Sequence, residues 1–104
     1  MKTNIKELLD KNKVLRTDKI QLLRDVVDDL VELGITVAKK EGKNEYRIMS
    51  NINEGHYLTI AYSGNNFLVK IGKEEMGYVT VKFIGDVEEF KEYLSLAIYR
   101  EEVL

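Results

Sequence analysis

His56, Ser63 and the acidic run Asp25, Asp28, Asp29 and Glu32 are the residues of this sequence whose types could do chemistry. His56 is the single histidine. As a general base it needs a nucleophile and an orienting carboxylate converging on it. Ser63 stands seven residues further along the same predicted strand, about 23 Å away at ~3.3 Å per residue. No G-x-S-x-G elbow surrounds Ser63, and its setting is strand then turn rather than strand then helix. The two side chains read as parts of a strand, not as a catalytic pair.

The four acids stand at i,i+3 and i,i+4 spacing, so several share a helix face. Two of them could bridge a divalent ion, although a solvated helix face carries the same pattern. No lysine inside the block stands at i+4 to compensate, and like charges at this spacing cost a few tenths of a kcal/mol each, roughly. A basic partner would relieve that repulsion. The glycine strings "SGNN", "IGKEEMG" and "FIGD" match neither the dinucleotide fingerprint nor the P-loop. Asp86, as a predicted cap, already fills the helix N-terminus that "FIGD" leads into.

These residues must be positioned by a chain of 104 residues, 44% hydrophobic and 33% charged. That fits one domain, residues 1–104, with one core. Cysteine is absent, which removes disulfides and thiolate chemistry. One histidine without cysteine leaves little for a tetrahedral zinc site, so no cofactor or metal is expected. No apolar run is long enough to span a bilayer, and the first ten residues lack the apolar stretch of a secretory signal. The expectation is a cytoplasmic protein without membrane contact.

Net charge is -2, so bulk electrostatics do not direct the chain to DNA. The distribution says more. Residues 1–24 hold seven Lys/Arg against three Asp/Glu, residues 25–38 hold four acids and no base, and residues 74–104 hold eight acids against three bases.

Thr3 or Asn4 can cap a short first helix, with Glu7 placed to close a capping box with Asn4 and with Ile5, Leu8 and Leu9 on one face. It is expected to fray at Lys11-Asn12-Lys13. Thr17 or Asp18 would cap a second helix, with Ile20, Leu23, Val27, Leu30 and Val31 as its buried stripe and Leu22, Val26 and Leu33 widening it. Gly34 would stop that helix in the left-handed conformation. Residues 35–38 and 46–49 read as a hairpin around Gly42, although a helix running through to Lys40 is the rival for the first of them. Strands follow at His56 to Ser63, Asn66 to Ile71 and Tyr78 to Ile84, with Gly64-Asn65 as a type II′ turn. Alternation places Leu58, Ile60, Phe67, Val69, Ile71, Val79, Val81 and Phe83 on a buried face. It places Leu68, Lys70, Tyr78, Thr80 and Lys82 on a wetter one. Asp86 caps a last helix whose core stripe is Val87, Phe90, Leu94, Ala97 and Ile98. The expected fold is α+β: two N-terminal helices, an antiparallel meander of about five strands, and a C-terminal helix on one sheet face.

Three surfaces could meet a partner. The acids Asp25, Asp28, Asp29 and Glu32 suit a protein or nucleoprotein with a basic surface. Tyr57 and Tyr78 on the wetter sheet face, near Lys70 and Lys82, could stack nucleic-acid bases. No RNP-like string is present and the net charge opposes a dedicated binder. Tyr93, Leu96, Tyr99 and Val103 form a second apolar strip on the last helix, suited to a second copy of the chain. With no catalytic constellation, the sequence reads as a non-enzymatic binding protein, an inhibitor or regulator that occupies a surface of a larger assembly. A nucleic-acid module or a homodimeric regulator are the alternatives. In size and composition (one short α+β domain without Cys or Pro, rich in Lys, Glu, Asn, Ile and Tyr) the chain resembles small inhibitors of phages and mobile elements, anti-CRISPR proteins among them. That resemblance implies inhibition of a host nuclease complex through protein contacts and assigns no residue.

Overall fold

The first 28 residues after the Asn4 cap contain neither glycine nor proline, and they form one helix. In a computed structural model, which describes residues 4–40, 42–49, 56–73, 75 and 77–101, α1 spans Ile5–Glu32 without a break. The side chains of Tyr78 and Val79 lie outside that description. Two N-terminal helices were expected, and the join between them does not exist. Lys, Val, Leu and Arg around Asn12 are adequate helix formers. Thr17, read as a cap, turns its hydroxyl back to the Lys13 carbonyl at 3.0 Å, a bond made within a continuing helix. The Asn4 cap holds, with its side chain accepting from the Glu7 amide at 2.9 Å.

Gly34 ends α1 as expected. Its φ is +87°. The Gly34 amide bonds to the Val31 carbonyl and the Ile35 amide to the Leu30 carbonyl, the paired bonds of a Schellman motif. Leu30 and Ile35, the apolar pair that accompanies such a motif, are both buried.

Five strands then follow in meander order: β1 Val37–Lys39, β2 Glu45–Ile48, β3 His56–Ser63, β4 Asn66–Lys73 and β5 Gly77–Ile84, all antiparallel to their neighbours. The predicted hairpin over residues 35–49 is present, and its rival helix is not. The β3–β4 turn is sharper than expected. Gly64 and Asn65 both have positive φ, 58° and 65°, which is the type I′ pattern rather than II′. Helix α2, Val87–Arg100, closes the fold, its Asp86 cap accepting from the Glu89 amide at 3.1 Å.

Both helices lie on one sheet face over a single hydrophobic cluster. Phe67 and Phe90 stack at its centre with ring centroids 4.8 Å apart, and Tyr62 meets Phe67 edge-on at 5.1 Å. Leu58, Ile60, Phe67 and Val69 are buried there as their alternation required. The faces of β5 are the reverse of expectation. Phe67 pairs with Ile84, Leu68 with Phe83, Val69 with Lys82 and Lys70 with Val81, so Val81 and Phe83 stand on the face away from the helices. The expected face of Val79, given by alternation, lies outside the described side chains. Alternation along β5 alone was misleading, since the cross-strand register of the β4–β5 pair fixes the face. A bulge beside Ile71/Gly72 then shifts that register.

The two helices run the same way along the sheet. α2 starts after Ile84, beside the Gly64-Asn65 turn, and ends at Glu101, whose carboxylate lies 3.0 Å from the His56 ring. In α1, Lys19 stands over the Phe67 ring near that same turn, while Gly34 leads into β1 at the other end. A helix of 28 residues is about 42 Å long, longer than the sheet beneath it. Residues 4–18 therefore run past the Gly64-Asn65 end as an arm, and every one of them is exposed. The longest dimension, 56 Å against 30 and 26 Å, reflects that projection.

Candidate interaction surface

The arm and the packed half of α1 carry one apolar stripe. At ~100° per residue, Ile5, Leu8, Leu9 and Leu15 fall on the same side of the helix as Leu23, Val26, Val27 and Leu30. Leu23, Val26 and Leu30 are buried, whereas Ile5, Leu8, Leu9 and Leu15 are all exposed. The stripe continues past the sheet with nothing under it among the described residues. Val31 and Leu33, expected in the core, are exposed too: Val31 lies about 100° around the helix from the buried Leu30, and Leu33 is the C-cap beyond the last helical residue.

Beside Leu33 the two helices diverge into a groove of about 1010 Å³. Asp29, Leu30 and Leu33 line one wall, and Leu94, Ile98 and Tyr99 the other, with Lys91 and Arg100 beside them on α2. The floor is apolar, and Tyr99 is 82% exposed. Of the predicted contact acids, Asp29 lines this groove. Asp25, Asp28 and Glu32 are exposed and lie on the opposite side of α1 from its buried stripe. The last turn of α1 has no basic residue, although the helix dipole favours cations there. Gln21 Nε2 donates to Asp25 Oδ1 at 2.9 Å, a neutral partner.

The predicted strip on α2 divides. Tyr99 lines the groove, Leu96 is exposed outside its lining, and Tyr93 is half-buried against the core with the Lys82 ammonium 6.0 Å from its ring. Val103 lies outside the described residues.

The open sheet face is less wet than its sequence suggested. Glu45, missed at the sequence level, is buried there. Its carboxylate accepts from Lys70 at 2.7 Å and lies 3.4 Å from Lys40. Burial pushes the Glu45 carboxyl up, but the hydrogen bonds and charges of Lys70 and Lys40 outweigh it and hold it below its ordinary value. A lysine in mid-strand, Lys70, was the available sign that a carboxylate faced it. Tyr57 is half-buried beneath the Arg47 guanidinium, 5.1 Å from its ring centroid. It also lies across Gly72, where an added Cβ would stand 2.8 Å from the ring. The backbone register sets Tyr78 opposite Gly72. Lys82, expected beside these tyrosines, pairs with Val69 and so stands on the helix side. The platform imagined for stacked bases thus loses Lys82 to the other face, while Lys70 is engaged by Glu45.

His56 and Ser63 pair with Lys73 and Asn66 at opposite ends of β3, and the His56 ring meets Glu101. Among the described residues no group of three or more His, Asp or Glu converges as a metal cluster, and no helix is long and apolar enough to cross a membrane. No family model, curated protein or solved structure matches the chain.

Proposed function

We propose that this chain is a non-enzymatic binding protein, an inhibitor or regulator that takes a helix of its partner into the groove between α1 and α2. The observation that carries this reading is the groove itself. It has an apolar floor between Leu30, Leu33, Leu94 and Ile98, an exposed tyrosine at its mouth, and charged walls, with Asp29 on α1 facing Lys91 and Arg100 on α2. Such a groove suits an amphipathic helix that presents apolar side chains at i, i+3, i+4 and i+7 and a basic one towards Asp29. The acids on α1 supply orientation and association rate more than affinity. A basic ligand would also offset the unfavourable position of Asp29 and Glu32 at the negative end of the helix dipole.

The test uses the wild type and the double variant Asp25→Lys/Asp29→Lys as baits in extracts of the native host. Both positions are exposed, so the variant is expected to keep its fold by circular dichroism. Wild type is expected to retain a basic protein partner that the variant loses. Equal retention by both baits would sink this reading.

A further inference from the structure

The geometry points to a second copy of this chain as an occupant of the groove: two α1 helices pair antiparallel, and the arm of each lies in the α1/α2 groove of the other. This rests on the groove being a helix site, as proposed above, and names one helix that fits it. The arm is amphipathic, its stripe Ile5, Leu8, Leu9 and Leu15 is exposed, and basic residues flank it. It cannot reach its own groove, because α1 is one helix without glycine or proline from Ile5 to Glu32. The partner stripe has to come from another chain.

Two features favour a copy in antiparallel orientation. The first is spacing. Ile5, Leu8, Asn12, Leu15, Lys19, Leu22, Val26, Asp29 and Leu33 follow alternating steps of three and four along the whole of α1, the repeat of a helix-pairing seam. The row passes from the exposed arm into the groove, where Val26, Asp29 and Leu33 are lining residues. About a twofold axis near Ile20 and Gln21, Leu8 meets Leu33 of the other copy, Asn12 meets Asp29, Leu15 reaches the edge of the buried Val26, and the half-buried Lys19 and Leu22 meet at the centre. A polar residue in such a seam sets register and partner number at some cost in stability. The second feature is charge. Residues 1–24 carry seven bases and three acids, and residues 25–38 carry four acids and no base. A parallel pair would set like on like, whereas the antiparallel pair sets the basic segment against the acidic one twice over, with Asp29 the acid that meets the arm inside the groove, beside Lys91 and Arg100 of α2. An isologous contact of this kind closes on itself as a dimer.

The experiment is sedimentation of the full chain with cysteine cross-linking. Wild type, a chain of 12.0 kDa, is expected to sediment at twice that mass. Leu8→Glu is expected to be a monomer that unfolds at the temperature of dilute, dissociated wild type, since Leu8 is exposed and lies outside the core cluster. Leu96→Glu, outside the groove, is expected to remain dimeric. The chain has no cysteine of its own, so Leu8→Cys mixed with Leu33→Cys should give an oxidised heterodimer, while Leu8→Cys alone should give none. Wild type that stays monomeric at about 100 μM, far above a ~1 μM dissociation constant, overturns the inference. So does a dimer that cross-links Leu8→Cys to itself, or one that only Leu96→Glu breaks. A monomer whose Asp25→Lys/Asp29→Lys variant still loses a host partner would leave the groove reading standing and remove only the self-pairing.

Discussion

The two halves of α1 have the same apolar stripe and opposite surroundings. From Leu23 to Leu30 the stripe is buried against the sheet and α2, with Val26 and Leu30 also lining the groove between the helices. From Ile5 to Leu15 the same side of the same helix faces solvent. Intrinsic propensity does not distinguish them, because both halves lack glycine and proline and both alternate apolar and charged residues at helical spacing. Packing does. The packed half belongs to the hydrophobic cluster centred on Phe67 and Phe90, whereas the arm is held by its backbone bonds, the Asn4 cap and its continuity with the rest of the helix. An isolated helix of the arm's length would be marginal in water. Extension from a folded helix removes the nucleation step, so a segment with nothing beneath it can still be helical.

Matched truncations give the sharpest contrast. Leu23→Ala removes a side chain with no exposed surface, and deletions of this kind cost about 2–5 kcal/mol. Leu8→Ala removes the same atoms from an exposed position and is expected to change the stability of the monomer by less than about 0.5 kcal/mol. Urea denaturation of the dilute protein measures both. A loss at Leu8 approaching that at Leu23 would mean that the arm packs on something in solution and would break the contrast.

The caps repeat the comparison at smaller scale. Asp86 and Asn4 make the same bond, side-chain oxygen to the amide three residues on, at 3.1 and 2.9 Å. Asp86 starts α2, whose Phe90 and Leu94 are core residues. Asp86→Ala should therefore lower global stability by about 1 kcal/mol, the usual worth of a cap. Asn4→Ala should leave global stability unchanged and instead speed amide exchange in the first turns of α1, since fraying there exposes no core. Exchange measured by NMR or mass spectrometry separates the two outcomes.

The same contrast explains what was legible in the sequence. Strands β3 and β4, both caps, the Gly34 stop and the α2 core stripe were readable, because each follows from local pattern or local backbone chemistry. The continuity of α1 was not. Thr17 looks like a cap, and only the absence of a competing fold at residues 11–18 decides that its hydroxyl turns inward to Lys13. The reversed faces of β5 came from cross-strand register, set by the β4–β5 pairing and by a bulge that no periodicity in β5 announces. The groove was half visible. Asp29 and Tyr99 were both singled out as contact residues, but their meeting depends on how α1 and α2 diverge, which is tertiary information. Glu45 was missed because one acid in a strand resembles a surface residue until Lys70 is known to face it.

Acid separates the two regions by a smaller effect whose sign follows from Glu45. Its carboxyl is held below the ordinary value of 4.5 by Lys70 and Lys40 in spite of burial. A group whose folded value is depressed contributes stability that is complete above its unfolded value and is lost as pH falls through the folded one. Stability of the packed region should therefore be level in this respect above about pH 5 and decline as pH drops through 4.5 and below. Glu45→Gln should remove that part of the slope, at a loss of stability near neutral pH from the lost charge pairing with Lys70 and Lys40. Among the described residues no such clasp joins the arm to the sheet, so the exchange rates of residues 5–15, corrected for intrinsic chemistry, should follow a pH profile unaffected by Glu45→Gln. If the arm's protection fell with that of the sheet in the variant, the two halves of α1 would be one cooperative unit. The exposed stripe would then need a partner already in place to explain it.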